Sequence, residues 1–269
     1  MFTNDQAFQR VLTSRWPATA KVRVRLSNEV ASTRFQTGEN TEYSGFGELL
    51  SIEDNLRSYN ADIVAKIASY FEAKSSVLEF GAGIGTLAIE WHKQTGAKPE
   101  CLEINAKQQR MIVERGFTCY PSIDAPAKKF DGIYSSNVLE HIEDDLGVLK
   151  ELRSIMSDGA VLAVYVPAFM HLYSEIDRSL GHYRRYRRSE LIAKARRAGF
   201  QPIDCYYADS IGYFAWFGAK LSARKRTANP AGPASLRFYD KWVYPVSRAL
   251  DALFMRRVAG KSLLLIARK

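Results

Sequence analysis

The stretch Val77-Leu78-Glu79-Phe80-Gly81-Ala82-Gly83-Ile84-Gly85-Thr86-Leu87 constrains the fold more than any other part of this chain. Val77, Leu78 and Phe80 favour a buried strand, and helical spacing resumes with Leu87, Ala88, Ile89 and Trp91. Between them, glycines at alternate positions remove every Cβ that would hold a ligand away from the backbone. They are also expected to leave amides at a helix N-terminus free to donate. A strand, a tight turn and a helix in that order form a nucleotide cradle, which calls for a sheet covered by helices.

The spacing narrows the nucleotide. A dinucleotide fingerprint, G-x-G-x-x-G/A, would set its third small residue at position 86, which is Thr86. Glu103 follows the apolar pair Cys101-Leu102, where a second strand should end; a carboxylate there can accept both hydroxyls of an adenosyl ribose, as it does in nicotinamide enzymes. The G-x-G-x-G turn, Glu79 two residues before it and Glu103 resemble motif I of class I S-adenosylmethionine-dependent methyltransferases. Ser135-Ser136-Asn137-Val138-Leu139-Glu140-His141-Ile142 resembles the VLEH segment of the type 11 and type 12 small-molecule members.

The resemblance spans about half of the chain and implies S-adenosylmethionine as cofactor. It implies an α/β fold: a Rossmann-like, seven-stranded, mostly parallel sheet with helices on both faces. By the same likeness Glu79, Gly81, Ala82, Gly83, Gly85, Glu103, Ile104, Ser122, Ile123, Asn137 and Val138 surround the cofactor, and Tyr59 closes on its methionine end.

Alternation of strand and helix over the core supports the same architecture. Strands are expected at 77–80, 100–102, 117–120, 130–135, 161–166, 202–207 and 262–267. Helices are expected at 52–71, 106–115, 143–156, closed by Asp158-Gly159, and 190–198, with Ser189 as its N-cap. The pattern divides the chain into an N-terminal extension with the covering helix (1–75), the binding core (76–208), an aromatic and basic helical insertion (209–259) and the last strand (260–269). In the extension, Val22, Val24 and Leu26 alternate with arginines as in a half-buried strand or an exposed arm, and 32–47 reads as a loop. Class I members join their last two strands by a tight hairpin; here more than fifty residues intervene.

A formal charge of +9 favours an acidic partner without choosing among nucleic acid, membrane and anionic substrate. Cys101, Cys119 and Cys205 show no ligand spacing, and the first residues carry Asp5, Arg10 and Arg15 without an apolar run. The expected location is the cytoplasm, with peripheral contact at the inner face of a membrane as an extension of that reading.

Methyl transfer from a sulfonium is an in-line displacement, so a base is needed where the nucleophile is a hydroxyl. His141 and His182 are the histidines that topology allows near the strand ends. Around His182, Tyr183, Arg184 and Arg185 are candidates for binding an anionic or lipid-linked acceptor, since guanidinium matches phosphate or carboxylate. Glu143, Asp144 and Asp145 sit at a helix start that favours negative charge anyway, so no metal is assigned. The insertion, with Tyr213, Phe214, Trp216, Trp242 and Phe254 among cations, suits either a membrane headgroup boundary or a lid or homodimer face. Nucleic-acid methylation is the alternative activity, disfavoured because Ser136-Asn137-Val138-Leu139 lacks the prolines of a D/N-P-P-Y/F motif. A non-catalytic S-adenosylmethionine-binding partner protein is another alternative, and a nicotinamide oxidoreductase is disfavoured by Thr86.

Overall fold

The computed structural model describes residues 46–73, 75–222 and 232–269. The readings made on 1–45, including the alternating Val22, Val24 and Leu26, fall outside them. Two helices, α1 (Phe46–Asn55) and α2 (Arg57–Ala68), precede the first strand. The single helix expected over 52–71 is thus broken at Leu56, whose backbone leaves helical geometry. Residues 46 and 47, expected as the end of a loop, are helical, since α1 begins at Phe46.

Next come β1 (Val77–Phe80), α3 (Thr86–Thr95), β2 (Glu100–Leu102), α4 (Ala106–Glu114), β3 (Cys119–Tyr120) and β4 (Phe130–Ser136). After a 3-10 turn at Leu139–His141 follow α5 (Asp145–Ser154), β5 (Met156–Pro167), the short α6 (Glu175–Ser179), α7 (Arg188–Arg197) and β6 (Gln201–Ala208). The insertion holds α8 (Ser210–Ser222), α9 (Pro233–Phe238), a π-helical turn (Tyr239–Val243) and α10 (Tyr244–Leu253), before β7 (Ser262–Arg268).

The seven strands form one sheet in the order β3-β2-β1-β4-β5-β7-β6, parallel except for β7. The reversal at β4 places the carboxyl ends of β1 and β4 side by side, where open α/β sheets bind ligands. One apolar layer packs Leu149 and Leu152 of α5 and Leu191 and Ala195 of α7 on the sheet. The opposite layer contains Tyr59, Ile63 and Ile67 of α2, Trp91 of α3 and Tyr244 of α10.

Local signals explain the boundaries that differ from expectation. Asp144 accepts the Gly147 N–H at 2.9 Å, so α5 starts after this cap rather than at Glu143. Asp158-Gly159 does not close that helix; it lies inside β5, where Gly159 takes a φ of +77°. Ser189 is the second residue of α7 and not its cap; the Glu190 carboxylate accepts the Arg187 N–H at 3.0 Å one step earlier.

Buried carboxylates of the insertion hold its own first helix and the helix before β1. Asp251 accepts the N–H groups of Asp209 (2.7 Å) and Ser210 (3.1 Å), and Asp240 those of Ser58 (2.9 Å) and Tyr59 (2.8 Å). Each pair lies at a helix start, where the first N–H groups lack intrahelical partners. Among the described residues no helix is long and apolar enough to cross a membrane.

Candidate active site

The glycine turn is built for close approach. Gly81, Gly83 and Gly85 have φ of +73°, +57° and +83°, a region that L side chains rarely adopt. A Cβ at Gly81 would also run into Val138, with Cγ1 at 2.8 Å. The segment after β4 therefore backs directly onto the turn after β1.

The amides of this turn are not free donors as expected. Gly81 and Ala82 donate to the Leu102 carbonyl at 2.9 and 3.1 Å, Gly83 to Glu103 at 2.8 Å and Gly85 to the Ala82 carbonyl at 2.8 Å. What the turn offers a ligand is a surface without side chains, held rigid against β2. Glu103 also accepts the Asn105 N–H at 2.9 Å, and burial raises its pKa while these backbone bonds oppose the rise. A carboxylate has about four acceptor positions, so Glu103 keeps acceptor capacity for a ribose hydroxyl beyond these backbone bonds. These residues fit an adenosyl cofactor: a cradle without Cβ atoms facing a carboxylate whose geometry is fixed.

Around the cradle, Ile104 follows Glu103 as a 70 % exposed apolar side chain. Ser122 and Ile123 follow β3 and are half-buried, and Asp124 bonds Ser122. Asn137 sits in left-handed backbone at φ +53°, its N–H donating to the Tyr165 carbonyl at 2.8 Å. Asparagine tolerates that conformation better than most residues. Glu79 points away from solvent, where Tyr134 donates to it at 2.9 Å and burial pushes its pKa up to about 8.

Tyr59 is buried. Its hydroxyl bonds that of Tyr165 at 3.0 Å, and its ring packs against Tyr244 under the Lys261 ammonium. The covering element is α1: a Cβ on Gly83 would touch Leu49 at 3.4 Å, and Glu53 pairs with Arg115 at 3.0 Å. Arg115 in turn donates to the Ile84 carbonyl at 2.8 Å. Sequence reasoning caught only residues 52–55 of α1, as part of a longer helix, and gave its start to a loop.

Beyond Val138, the 3-10 turn carries Glu140 and His141 to a second cluster. The rings of His141 and His182 meet edge to face at 4.5 Å. His182 Nδ1 lies 2.9 Å from Asp177, which also takes a two-pronged bond from Arg185 at 2.7 and 3.0 Å. Asp177 is buried, a condition that raises its pKa, but the bonds from His182 and Arg185 outweigh burial and hold it down at about 2. Glu140 is fully buried and no other residue hydrogen-bonds its carboxylate; burial pushes its pKa up to about 8. Burial and the neighbouring His182 lower His141 to about 4. The Tyr183 N–H donates to the Glu140 carbonyl at 2.8 Å and holds the two segments together.

The arginines of this region divide by position. Arg185 is buried against Asp177 with its guanidinium over Trp216, and Arg184 is bound to Asp145 and the Glu143 carbonyl at 2.8 Å each. Both are committed to internal partners, which corrects the expectation that they are available to an acceptor. Tyr183 is exposed, with Arg184 over its ring. Arg187 and Arg188 are exposed and line a cleft of about 540 Å³ with Phe169, His171, Ile192 and Tyr207.

A family model described as a methyltransferase domain matches residues 52–204, more than half of the chain. No curated protein matches. Among solved structures, an S-adenosylmethionine-dependent methyltransferase from Archaeoglobus fulgidus is 19 % identical, with 82 % of this chain and 99 % of that one covered at a TM-score of 0.55. The 1,6-didemethyltoxoflavin-N1-methyltransferase of Burkholderia thailandensis is 14 % identical, with 84 % of each covered and a TM-score of 0.52. At such identities these structures show a shared fold. With the family match across the glycine turn, Glu103 and the Val138–His141 segment, they place the chain among the class I S-adenosylmethionine-dependent methyltransferases.

Proposed function

We propose that this methyltransferase acts on an oxygen or nitrogen of a small acceptor bound over the turn Leu139–His141. The observation that carries this reading is one short segment: Val138 touches Gly81 of the cofactor cradle, and Glu140 and His141, two and three residues on, meet His182. An acceptor resting on that turn has the donor sulfonium on one side and polar side chains on the other.

In-line transfer asks the protein for alignment and for a route by which the acceptor proton leaves. The Asp177–His182 pair supplies an oriented imidazole, and the cleft beside Phe169 supplies aromatic surface with Arg187 and Arg188 at its rim. An anionic acceptor, such as a phosphate- or carboxylate-bearing or lipid-linked molecule, suits those exposed guanidinium groups.

The test pairs S-adenosylmethionine titration calorimetry with transfer of labelled methyl into aqueous and lipid fractions of a cell extract. Heat of binding with label in a small-molecule or lipid fraction supports the reading. Binding without transfer favours a non-catalytic partner protein, and label in RNA favours the nucleic-acid alternative.

The insertion supports a second reading, peripheral membrane contact. Phe238, Trp242, Leu253 and Phe254 are exposed, and Lys241, Arg256 and Arg257 lie beside them in sequence. Apolar side chains next to cations suit an anionic headgroup layer. Co-sedimentation with vesicles containing phosphatidylserine at low salt tests it; protein left in the supernatant removes the reading.

A further inference from the structure

We propose that Glu140, His141 and His182 form a binding site for one divalent transition-metal cation. One candidate ligand atom from each lies within 4.8 Å of the others. Ligands at about 2.1 Å from a shared ion are about 3.0–3.4 Å apart, so side-chain shifts of about 1 Å close the set.

Three observations support a cation here. Glu140 is fully buried and no other residue hydrogen-bonds its carboxylate, an arrangement costly for a carboxylate unless a positive group meets it. The cation that acts on it, Arg185, is already matched by Asp177, so no ion-pair partner is left for Glu140 among the described residues. Each histidine, moreover, has an outer contact that fixes its ring: His182 bonds Asp177 through Nδ1, and His141 contacts the Leu180 backbone. A carboxylate or carbonyl behind a histidine is the usual outer shell of a metal ligand, and it leaves the other ring nitrogen for the ion.

Two imidazoles and one carboxylate suit Mn²⁺, Fe²⁺, Co²⁺ or Zn²⁺ better than Mg²⁺ or Ca²⁺, which take oxygen ligands. Three protein ligands leave positions open, and, given the methyltransferase reading above, these take an acceptor hydroxyl. With the ion bound, His182 is a ligand and no longer the proton acceptor, so the hydroxyl proton is lost to solvent; the oxygen attacks the sulfonium methyl carbon, and the carbon–sulfur bond breaks with its electron pair left on sulfur.

The experiment is a titration of the full-length, EDTA-stripped protein with CoCl₂, followed by visible absorption and calorimetry. The expected result is one Co²⁺ per chain with ligand-field bands, and affinity reduced more than about tenfold in Glu140→Gln and in His182→Gln. Circular dichroism melts check that each variant is folded, and His141→Gln replaces either one that is not. A folded wild type that binds no Co²⁺, or variants that bind it undiminished through His92 or His171, overturns the site. The titration needs neither cofactor nor acceptor, so failure here leaves methyl transfer standing, and failed transfer leaves the metal result intact. In an active preparation, transfer that continues after EDTA treatment overturns the catalytic role of the ion.

Discussion

Asp240 receives the backbone N–H of Tyr59 at 2.8 Å, so a residue of the C-terminal insertion caps a helix that precedes the first strand. The Ser58 N–H reaches the other oxygen of the same carboxylate, which is almost fully buried. Asp240→Ala leaves two helix-start donors without an acceptor and is expected to destabilise the fold by about 1–3 kcal/mol. Urea unfolding of the wild type, Asp240→Ala and Asp240→Asn checks this, with the amide retaining part of the effect.

The buried Glu79 makes stability fall as pH rises. Folded, its carboxyl keeps its proton up to about 8, against an ordinary value of 4.5. Between those values the folded state binds more protons than the unfolded chain. This group's contribution is therefore complete below about pH 4.5 and is lost at up to about 1.4 kcal/mol per pH unit above it. Glu79→Gln, which can still accept from Tyr134, should flatten the wild type's decline between pH 5 and 8 in denaturant unfolding.

Gly81 has no room for a methyl group and a φ of +73°. Gly81→Ala is expected to cost about 1–2 kcal/mol from backbone conformation alone, more if Val138 cannot move. A displaced Val138 would narrow the cradle, so S-adenosylmethionine affinity should fall by at least about tenfold. Calorimetry against Gly96→Ala, a positive-φ glycine with an open surrounding, separates local strain from loss of the cradle.

Glu103 is expected to bind the ribose hydroxyls. Glu103→Gln keeps one acceptor oxygen but loses the charge that strengthens such bonds, and about 1–2 kcal/mol of cofactor affinity should go with it. A titration with unchanged affinity would remove Glu103 from the cofactor site.

The arginines after His182 should separate in their effects. Arg185→Ala strands the buried Asp177 and is expected to cost about 3–5 kcal/mol of stability, visible as a lowered melting temperature. Paired replacement of Arg187 and Arg188 by Ala should leave stability within about 0.5 kcal/mol. It should raise the acceptor KM severalfold; an unchanged KM rules out recognition of an anion at that rim.

The sheet was legible because its strands are short apolar runs punctuated by glycine, and all seven were expected close to where they lie. The glycine turn was legible for the same reason: positions 81, 83 and 85 need a backbone only glycine adopts freely. Pairings between distant segments were not. Nothing local tells that Arg185 is matched by Asp177 while Arg187 is exposed, since both sit in one basic run. His141 and His182 were expected at the same edge from topology, but their edge-to-face contact depends on the Tyr183–Glu140 backbone bond, which has no sequence signature. Tyr59 was drawn toward the cofactor by the resemblance, whereas its hydroxyl is spent on Tyr165 and the adjacent Leu49 helix covers the cradle.

The carboxylates of the long excursion between β6 and β7 bear on how this enzyme can be re-engineered. Trimming 209–261 to a short hairpin would remove Asp240 and Asp251 together and leave the start of α2 uncapped. Grafting another relative's loop to alter what is methylated would meet the same obstacle unless the donor brought equivalent acidic side chains. Any change to the excursion that removes these carboxylates is therefore also a change to the fold, and point changes on its exposed face avoid that.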